Sequence, residues 1–233
     1  MTTCLAEQRR ILDALPLDAW EVLTDCIMRC AIGNRYDEPV EHTPKGIHVH
    51  WQARNVQLLR WIESERFRLG LPVPSVLDVG CWQGKLIADL CQRGFQAGGT
   101  DLAEMSASVS DHVNLVSPYT RENFQGFSRG WAHEVLDGMA PGAWDIVVCA
   151  ETLEHIPSSV LPATCDALLQ AAKYSVLVEV PGWDDGSALH LRVFTVAELE
   201  RLLVRTGWWM TVLQEPGDGV YTTVRMEREC PTA

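Results

Sequence analysis

Short apolar runs alternate with amphipathic segments through most of the chain. After Val73 the apolar runs are typical of buried parallel strands, and helical periodicity lies between them. The predicted strands are SVLDVG, FQAGGTDL, WDIVVCAE and YSVLVEVP, and the predicted crossover helices are KLIADLCQRG, SSVLPATCDALLQAAK and TVAELERLLVRTG. The final stretch, GWWMTVLQEPGDGVYTTVRMERE, predicts a strand, a PGDG turn and a returning strand. We therefore expect a doubly wound, Rossmann-like α/β sheet closed by an antiparallel hairpin.

The first part of the chain has a different pattern. Residues 4–31 and 48–69 carry helical periodicity, and a polar loop lies between them. A length of 233 residues suits one large α/β domain with a helical extension, and two full domains would be cramped. We predict an N-terminal helical cap over residues 1–70 and one α/β domain over residues 71–233. His48 and His50 alternate as on an extended segment, where H-x-H can bind a metal.

Charge and composition exclude several classes of protein. The net charge of −12 disfavours a groove that follows a phosphate backbone, so nucleic acid is an unlikely partner. The N-terminal stretch lacks the apolar core of a signal peptide, and no run approaches the roughly 20 apolar residues of a membrane span. We expect a soluble, cytoplasmic protein. The eight cysteines fall mostly in apolar segments and predict reduced thiols, although Cys26 and Cys30 have a spacing that could serve a metal.

The stretch VLDVGCWQGKL combines an apolar strand, an acid and a glycine turn before a helix. Ligands of doubly wound sheets bind at the carboxyl ends of the strands, where Gly80 permits a tight turn and Gly84 a close approach. The spacing is not the G-x-G-x-x-G of a dinucleotide site, and Asp78 would repel phosphate but suit an ammonium group. Asp101 ends the second strand, where an acid can accept both hydroxyls of a ribose. S-adenosylmethionine has an ammonium group and a ribose and carries no phosphate, so it fits this pattern. In the competing structural interpretation, Gly80 only forms a turn and Asp101 only caps the next helix.

VLDVGCWQGKL, GTDL and WDIVVCAETLEHIP stand in this order over residues 73–215. They resemble the first, second and fourth motifs of class I S-adenosylmethionine-dependent methyltransferases. The resemblance implies a seven-stranded sheet with an antiparallel last strand, with the methionine moiety near the glycine turn and the ribose at the second strand. The implied cofactor-binding residues are Asp78, Gly80, Gly84, Asp101 and Leu102.

Two features depart from the family pattern. Trp82 replaces the middle glycine of the turn, which disfavours a positive φ there, and we interpret its indole as a wall of the cofactor pocket. The third motif, which usually places an acid or amide near the adenine, is blurred. The stretch GWAHEVLD offers His133, Glu134 and Asp137, of which we take His133 as the candidate.

The stretch AETLEHIP follows the predicted strand WDIVVC directly, so its side chains should lie at the ligand edge of the sheet. Glu151, Glu154 and His155 can converge on one face of a helical turn, as a site for Mg²⁺ or Mn²⁺. The methyltransferases of ubiquinone biosynthesis and the small-RNA 2′-O-methyltransferases carry a similar E-x-x-E-H. In the RNA enzymes a later histidine completes the site, and His190 occupies a similar loop here. Alternatively, His155 acts as a base assisted by Glu151, or these residues are structural.

The predicted activity is methyl transfer from S-adenosylmethionine to an oxygen of a small metabolite, with nitrogen or carbon as alternative acceptor atoms. The cap and the loop over residues 181–191 would hold the acceptor, and Trp20, Trp51, Trp61 and Trp183 could form an aromatic chamber or simply pack in the core. Three alternatives stay open. One is an RNA 2′-O-methyltransferase with a divalent metal, and another is a non-catalytic S-adenosylmethionine-binding module. The third is a nicotinamide oxidoreductase, which the glycine spacing of the turn disfavours.

Overall fold

The computed structural model describes residues 2–35, 47–82, 84–102, 122–216 and 220–228. The helices of this part are α1 (Thr2–Asp13), α2 (Leu17–Arg35), α3 (Ile47–Leu69), α4 (Lys85–Gln92), α5 (Ala132–Asp137), α6 (Leu161–Ala171) and α7 (Val196–Leu203). The strands are β1 (Ser75–Val79), β2 (Gln96–Asp101), β3 (Phe124–Arg129), β4 (Trp144–Ala150), β5 (Ala172–Pro181), β6 (Trp208–Gln214) and β7 (Tyr221–Arg228).

The seven strands form a single sheet in the order β3-β2-β1-β4-β5-β7-β6. Strands β1 to β5 pair in parallel, and β7 is antiparallel to both β5 and β6. The predicted doubly wound sheet with its antiparallel hairpin is therefore confirmed. Val79 pairs with Thr100 on one side and with Cys149 on the other, so the carboxyl ends of β1, β2 and β4 reach the same edge.

Both faces of the sheet are covered by helices. The cluster on one face joins sheet residues such as Val147 to side chains of α6 and α7. On the other face, Leu58 and Ile62 of α3 and Ile87 of α4 pack with Val148. Helix α3 thus shares a core with residues that lie on the other side of the predicted boundary at residue 70. The apolar side chains of α3 are buried against the sheet, as in a helix that forms one layer of an α/β domain.

The N-terminal segment contains two helices where the sequence predicted one periodic stretch. The break at residues 14–16 precedes α2, and Pro16 accounts for it because proline disfavours a helical conformation in the residue before it. The indole Nε1 of Trp20 donates to the carbonyl of Leu12 at 2.9 Å, which holds α1 against α2.

The structure differs from several local predictions. His48 and His50 lie in α3, so the extended H-x-H was wrong; residues two apart do not share a helix face. Strand β3 was missed because FQGFSR is a half-exposed edge strand with little apolar pattern. Most of the predicted PGDG turn and the side chain of Cys30 lie outside the described residues.

The described cysteines are free thiols, as predicted. Four of them are buried, and burial raises the pKa of Cys91 to about 11 and that of Cys165 to about 12. Among the described residues, no helix combines the length and the apolar character that a membrane crossing needs.

Candidate active site

A cavity lies at the shared edge where β1, β2 and β4 end, and α2 covers part of it. Six of the predicted site residues line it, namely Gly80, Trp82, Asp101, Leu102, Glu151 and His155. Its other lining residues include Thr24, Thr100, Gly130, Trp131, Ala132, Thr152, Ile156 and Leu189, none of which was a predicted site residue. Thr100, Trp131 and Thr152 lie in the stretches GTDL, GWAHEVLD and AETLEHIP, but the sequence does not indicate that these side chains face the cavity.

The glycine turn after β1 is shaped by a contact with the segment after β4. Gly80 has a φ of 77°, and a Cβ at this position would lie 2.0 Å from Oγ1 of Thr152. That hydroxyl is within hydrogen-bond distance of the carbonyls of Val79 (3.2 Å) and Ala150 (3.0 Å). The side chain of Thr152 therefore occupies the space that glycine leaves free, and both residues form part of the cavity wall.

Trp82 connects the glycine turn to the second strand. Its backbone N–H donates to Oδ2 of Asp101 at 2.9 Å, which orients this carboxylate at the cavity. Trp82 has a φ of 48°, so the expectation that a bulky residue would avoid positive φ was wrong. Gly84 is also in the left-handed region and begins α4, but it does not line the cavity.

Two further predicted cofactor residues lie away from the cavity wall. Asp78 is buried within β1 at 5% exposure, and His133 lies on α5. The third motif instead reaches the cavity through its first residues, among them Trp131. The indole Nε1 of Trp131 and the hydroxyl of Thr100 are buried and have no hydrogen-bond partner among the described residues. A ligand with acceptor atoms would relieve the cost of such groups.

The ring of His155 is held by a backbone carbonyl. Its Nδ1 lies 3.0 Å from the carbonyl oxygen of Leu189, and because that oxygen can only accept, Nδ1 carries the hydrogen of the neutral ring. The lone pair is then on Nε2. Burial, and after it the neighbouring His190, lower the pKa of His155 from 6.5 to about 4. His155 is therefore neutral at pH 7 and can act as a proton acceptor or metal ligand.

Three of the four predicted metal ligands come together. Glu154, His155 and His190 each offer one ligand atom, and these atoms lie within 4.8 Å of one another. Nδ1 of His190 lies 3.1 Å from Oδ1 of Asp185, so both imidazoles have an orienting partner of the kind found behind metal-bound histidines. Two imidazoles and a carboxylate are a chemically suitable donor set for a divalent ion.

Glu151 is not part of that group. It has a φ of 48°, and its N–H donates to the carbonyl of Glu179 at 2.8 Å. The predicted convergence assumed a helical turn that begins at Glu151, whereas the helical turn is a 3₁₀ turn over Leu153–His155. Glu151 lines the cavity instead.

The predicted aromatic chamber is only partly assembled. Trp20 lines the cavity. Trp61 packs against the core under α3, and Trp183 makes an edge contact with Tyr221 at 5.1 Å between ring centroids. The side chain of Trp51 lies outside the described residues. The indoles that actually surround the cavity are those of Trp20, Trp82 and Trp131.

Relatives of known sequence include the ubiquinone biosynthesis O-methyltransferases of two bacteria. The chain is 40% identical over 126 residues to the ubiquinone biosynthesis O-methyltransferase of Leptothrix cholodnii, a match of 54% of this chain and 47% of that protein. It is 34% identical over 125 residues to the enzyme of the same name from Burkholderia thailandensis, with the same shares of the two chains. The chain thus spans about half the length of the curated relatives it matches.

Comparison with solved structures supports the same fold. The magnesium protoporphyrin IX methyltransferase of Synechocystis PCC 6803 with bound SAH superposes with a TM-score of 0.71 over 90% of this chain and 99% of that chain. The two sequences are 19% identical, so this likeness concerns the fold. The resemblance to class I methyltransferases is confirmed by a family model, the methyltransferase domain, which matches residues 50–215. The chain therefore belongs to the methyltransferase domain family.

Proposed function

We propose that this protein transfers a methyl group from S-adenosylmethionine to an oxygen atom of a small metabolite. The observation that carries the proposal is that one cavity is lined both by the glycine turn with Asp101 and by Glu151 with His155. The first pair suits the adenosyl cofactor, and the second suits an acceptor that must lose a proton. A module that only binds the cofactor would not need the second pair.

The cofactor would lie along the carboxyl ends of β1 and β2. We assign the ribose hydroxyls to Asp101, whose carboxylate is already oriented by the N–H of Trp82. The unpartnered donors of Trp131 and Thr100 suit acceptor atoms of the nucleoside. Asp78 is buried beneath the glycine turn, so we propose that it influences the cofactor through the turn and not from the cavity wall.

The acceptor would lie between the cofactor and His155. In the reaction the acceptor oxygen forms a bond to the methyl carbon while the bond from that carbon to sulfur breaks, which leaves S-adenosylhomocysteine. Placing the two atoms in line within attack distance supplies much of the rate. The hydroxyl proton passes to Nε2 of His155, whose lone pair is free at neutral pH. A pKa of about 4 makes His155 a weak base, so an acidic hydroxyl, such as a phenol, fits this site best.

A divalent ion fits the group of Glu154, His155 and His190. Imidazole ligands favour Mn²⁺, Fe²⁺ or Zn²⁺ over Mg²⁺, so the Mg²⁺ considered from the sequence fits this donor set less well. The ion and the base role are alternatives, because the single lone pair of His155 cannot both bind a metal and accept the proton. When bound, such an ion would lower the pKa of an acceptor hydroxyl. The low pKa of His155 supports this role because a metal ligand must be unprotonated.

Small metabolites are better candidates than RNA as acceptors. The curated relatives are named for O-methylation in ubiquinone biosynthesis, which directs the first tests to hydroxylated aromatic compounds. The three indoles around the cavity suit flat apolar groups. The net charge of −12 opposes a nucleic-acid partner.

The test has a binding arm and a transfer arm. Calorimetry with S-adenosylhomocysteine should detect binding to the wild type, weakened binding to Asp101→Ala, and unchanged binding to Asp137→Ala, an exposed acid on α5. Transfer of labelled methyl groups is then measured with phenolic and aliphatic hydroxyl compounds and with short RNA. These assays are run after chelation and with Mn²⁺ or Mg²⁺ restored. Binding without transfer to any acceptor would support the non-catalytic module, and transfer to RNA alone would overturn the small-metabolite proposal.

A further inference from the structure

Helix α1 is fastened to the loop between β5 and α7, which spans residues 182–195. The guanidinium of Arg9 makes two hydrogen bonds to the carboxylate of Asp184, at 2.6 and 3.0 Å. It also donates twice to the carbonyl oxygen of Ser187, at 2.8 and 3.1 Å. One side chain of the N-terminal helix thus holds the loop at two points that are three residues apart.

A second set of contacts fastens the end of α1. The carboxylate of Asp13 accepts hydrogen bonds from the N–H and hydroxyl of Ser158, at 2.6 and 2.7 Å. It also accepts from the guanidinium of Arg192 at 3.0 Å. Asp13 therefore joins the segment after His155 to the far end of the same loop.

The loop held in this way carries groups of the candidate active site. Asp185, which orients His190, lies between the two points that Arg9 holds. Leu189 accepts the hydrogen bond from His155 and lines the cavity, and the N–H of Leu191 donates to the carbonyl of Glu154 at 2.8 Å. Displacing the loop would move His190 and remove the partner of His155.

We infer that Arg9 and Asp13 are positioning residues that set the loop over residues 182–195 in its active arrangement. The inference rests on the proposed function, since it assigns the loop to the acceptor and metal side of that site. Neither residue touches the reacting atoms. They act through Asp185, His190 and Leu189.

The geometry of the Arg9 contact is that of a strong ion pair. The side chain of Arg9 is 14% exposed, and its planar guanidinium makes two parallel hydrogen bonds to the carboxylate. Such a bidentate pair is stronger and more specific in geometry than a single hydrogen bond. Hydrogen bonding from Arg9 lowers the pKa of Asp184 to about 2. Arg10 offers a matched control, because it pairs with Glu7 of its own helix and is 70% exposed.

The primary experiment is hydrogen–deuterium exchange of the full chain, followed by mass spectrometry of the loop peptides. Arg9→Ala should raise exchange over residues 182–195 by about tenfold, as loss of charged hydrogen bonds implies, whereas Arg10→Ala should leave it unchanged. Equal exchange in the Arg9→Ala and Arg10→Ala variants overturns the inference.

A binding measurement separates positioning from general damage to the fold. S-adenosylhomocysteine should bind Arg9→Ala with nearly wild-type affinity, because the contacts of Arg9 lie on the loop and not at Asp101. Mn²⁺, followed by electron paramagnetic resonance, should bind about tenfold more weakly. An equal loss of both affinities would assign Arg9 a structural role only. If Mn²⁺ does not bind the wild type, the metal proposal fails, while the exchange data still decide the role of Arg9.

Discussion

Replacing Gly80 with alanine tests the contact between Gly80 and Thr152, which shapes the glycine turn after β1. Alanine at a φ of 77° costs about 1–2 kcal/mol, since the left-handed region brings Cβ close to the backbone. The new methyl group would also lie 2.0 Å from Oγ1 of Thr152 and 2.6 Å from its Cγ2, so the threonine must leave its position. Losing its hydrogen bonds adds roughly 1 kcal/mol, and an altered rotamer costs a similar amount. We expect Gly80→Ala to lower the free energy of unfolding by about 3–4 kcal/mol.

Gly94→Ala is the control that isolates the backbone term. Gly94 has a φ of 80°, and no atom lies within 4 Å of the Cβ position there, so only the conformational cost should appear. Urea unfolding of both variants gives the difference that is due to the contact with Thr152. Calorimetry with S-adenosylhomocysteine should also show a loss of affinity for Gly80→Ala, because the displaced threonine lies on the cavity wall.

A double-mutant cycle identifies the threonine as the cause. Combining Gly80→Ala with Thr152→Gly should cost less than the sum of the single changes, by about 1–2 kcal/mol, because the contact is then absent. Thr152→Ala should relieve less, since its Cβ remains 2.9 Å from the new methyl group. Additive effects, or equal destabilisation by Gly80→Ala and Gly94→Ala, would refute the contact as the reason for glycine at this position.

Three further changes test the rest of the site. Asp101→Ala should weaken S-adenosylhomocysteine binding by about 1.5–3 kcal/mol in calorimetry, and unchanged affinity would remove Asp101 from the site. Trp82→Gly relieves a φ of 48° but loses the packing of the indole against the core, so the variant should stay folded in urea unfolding. It should weaken cofactor binding and remove part of the fluorescence change on binding; wild-type affinity for the cofactor would contradict the interpretation of Trp82 as a wall of the pocket. His155 has a folded pKa of about 4 against an ordinary 6.5, so the unfolded chain binds more protons between these values. Stability should therefore rise with pH from about 4 to 6.5, and less so in His155→Gln; equal slopes in the two proteins would refute the burial of a neutral imidazole.

The features that the sequence predicted correctly are those encoded within one segment. Strand β4 was predicted from a continuous apolar run, and burial on both faces of a parallel sheet requires such a run. The turn at Gly80 follows from glycine after a buried strand. The position of Asp101 at the cavity follows from the rule that parallel strands end at one edge.

The features that escaped prediction depend on distant segments. Thr152 fills the space at Gly80 although 72 positions separate them, and neither residue alone indicates this. Thr24 reaches the cavity because α2 packs over the sheet edge. The metal group was predicted from helical spacing, but the positive φ of Glu151 turns the chain before the 3₁₀ segment begins. The spacing correctly predicted that Glu154 and His155 lie close together as candidate metal ligands. That Glu151 lies outside this group became evident only from the fold.

Two strained residues lie at the edge of the sheet to which we assign both the cofactor and the acceptor. Among the described residues, Trp82 and Glu151 are the non-glycine positions with positive φ, and both follow strand ends at the cavity. Such conformations cost about 1–3 kcal/mol each and persist where surrounding contacts compensate. Here the N–H of Trp82 binds Asp101 and that of Glu151 binds the carbonyl of Glu179. Each hydrogen bond offsets part of the free energy that the positive φ costs. At both residues the chain turns sharply at the cavity. The strain therefore lies where a regular continuation of β1 or β4 would have carried these side chains past the cavity.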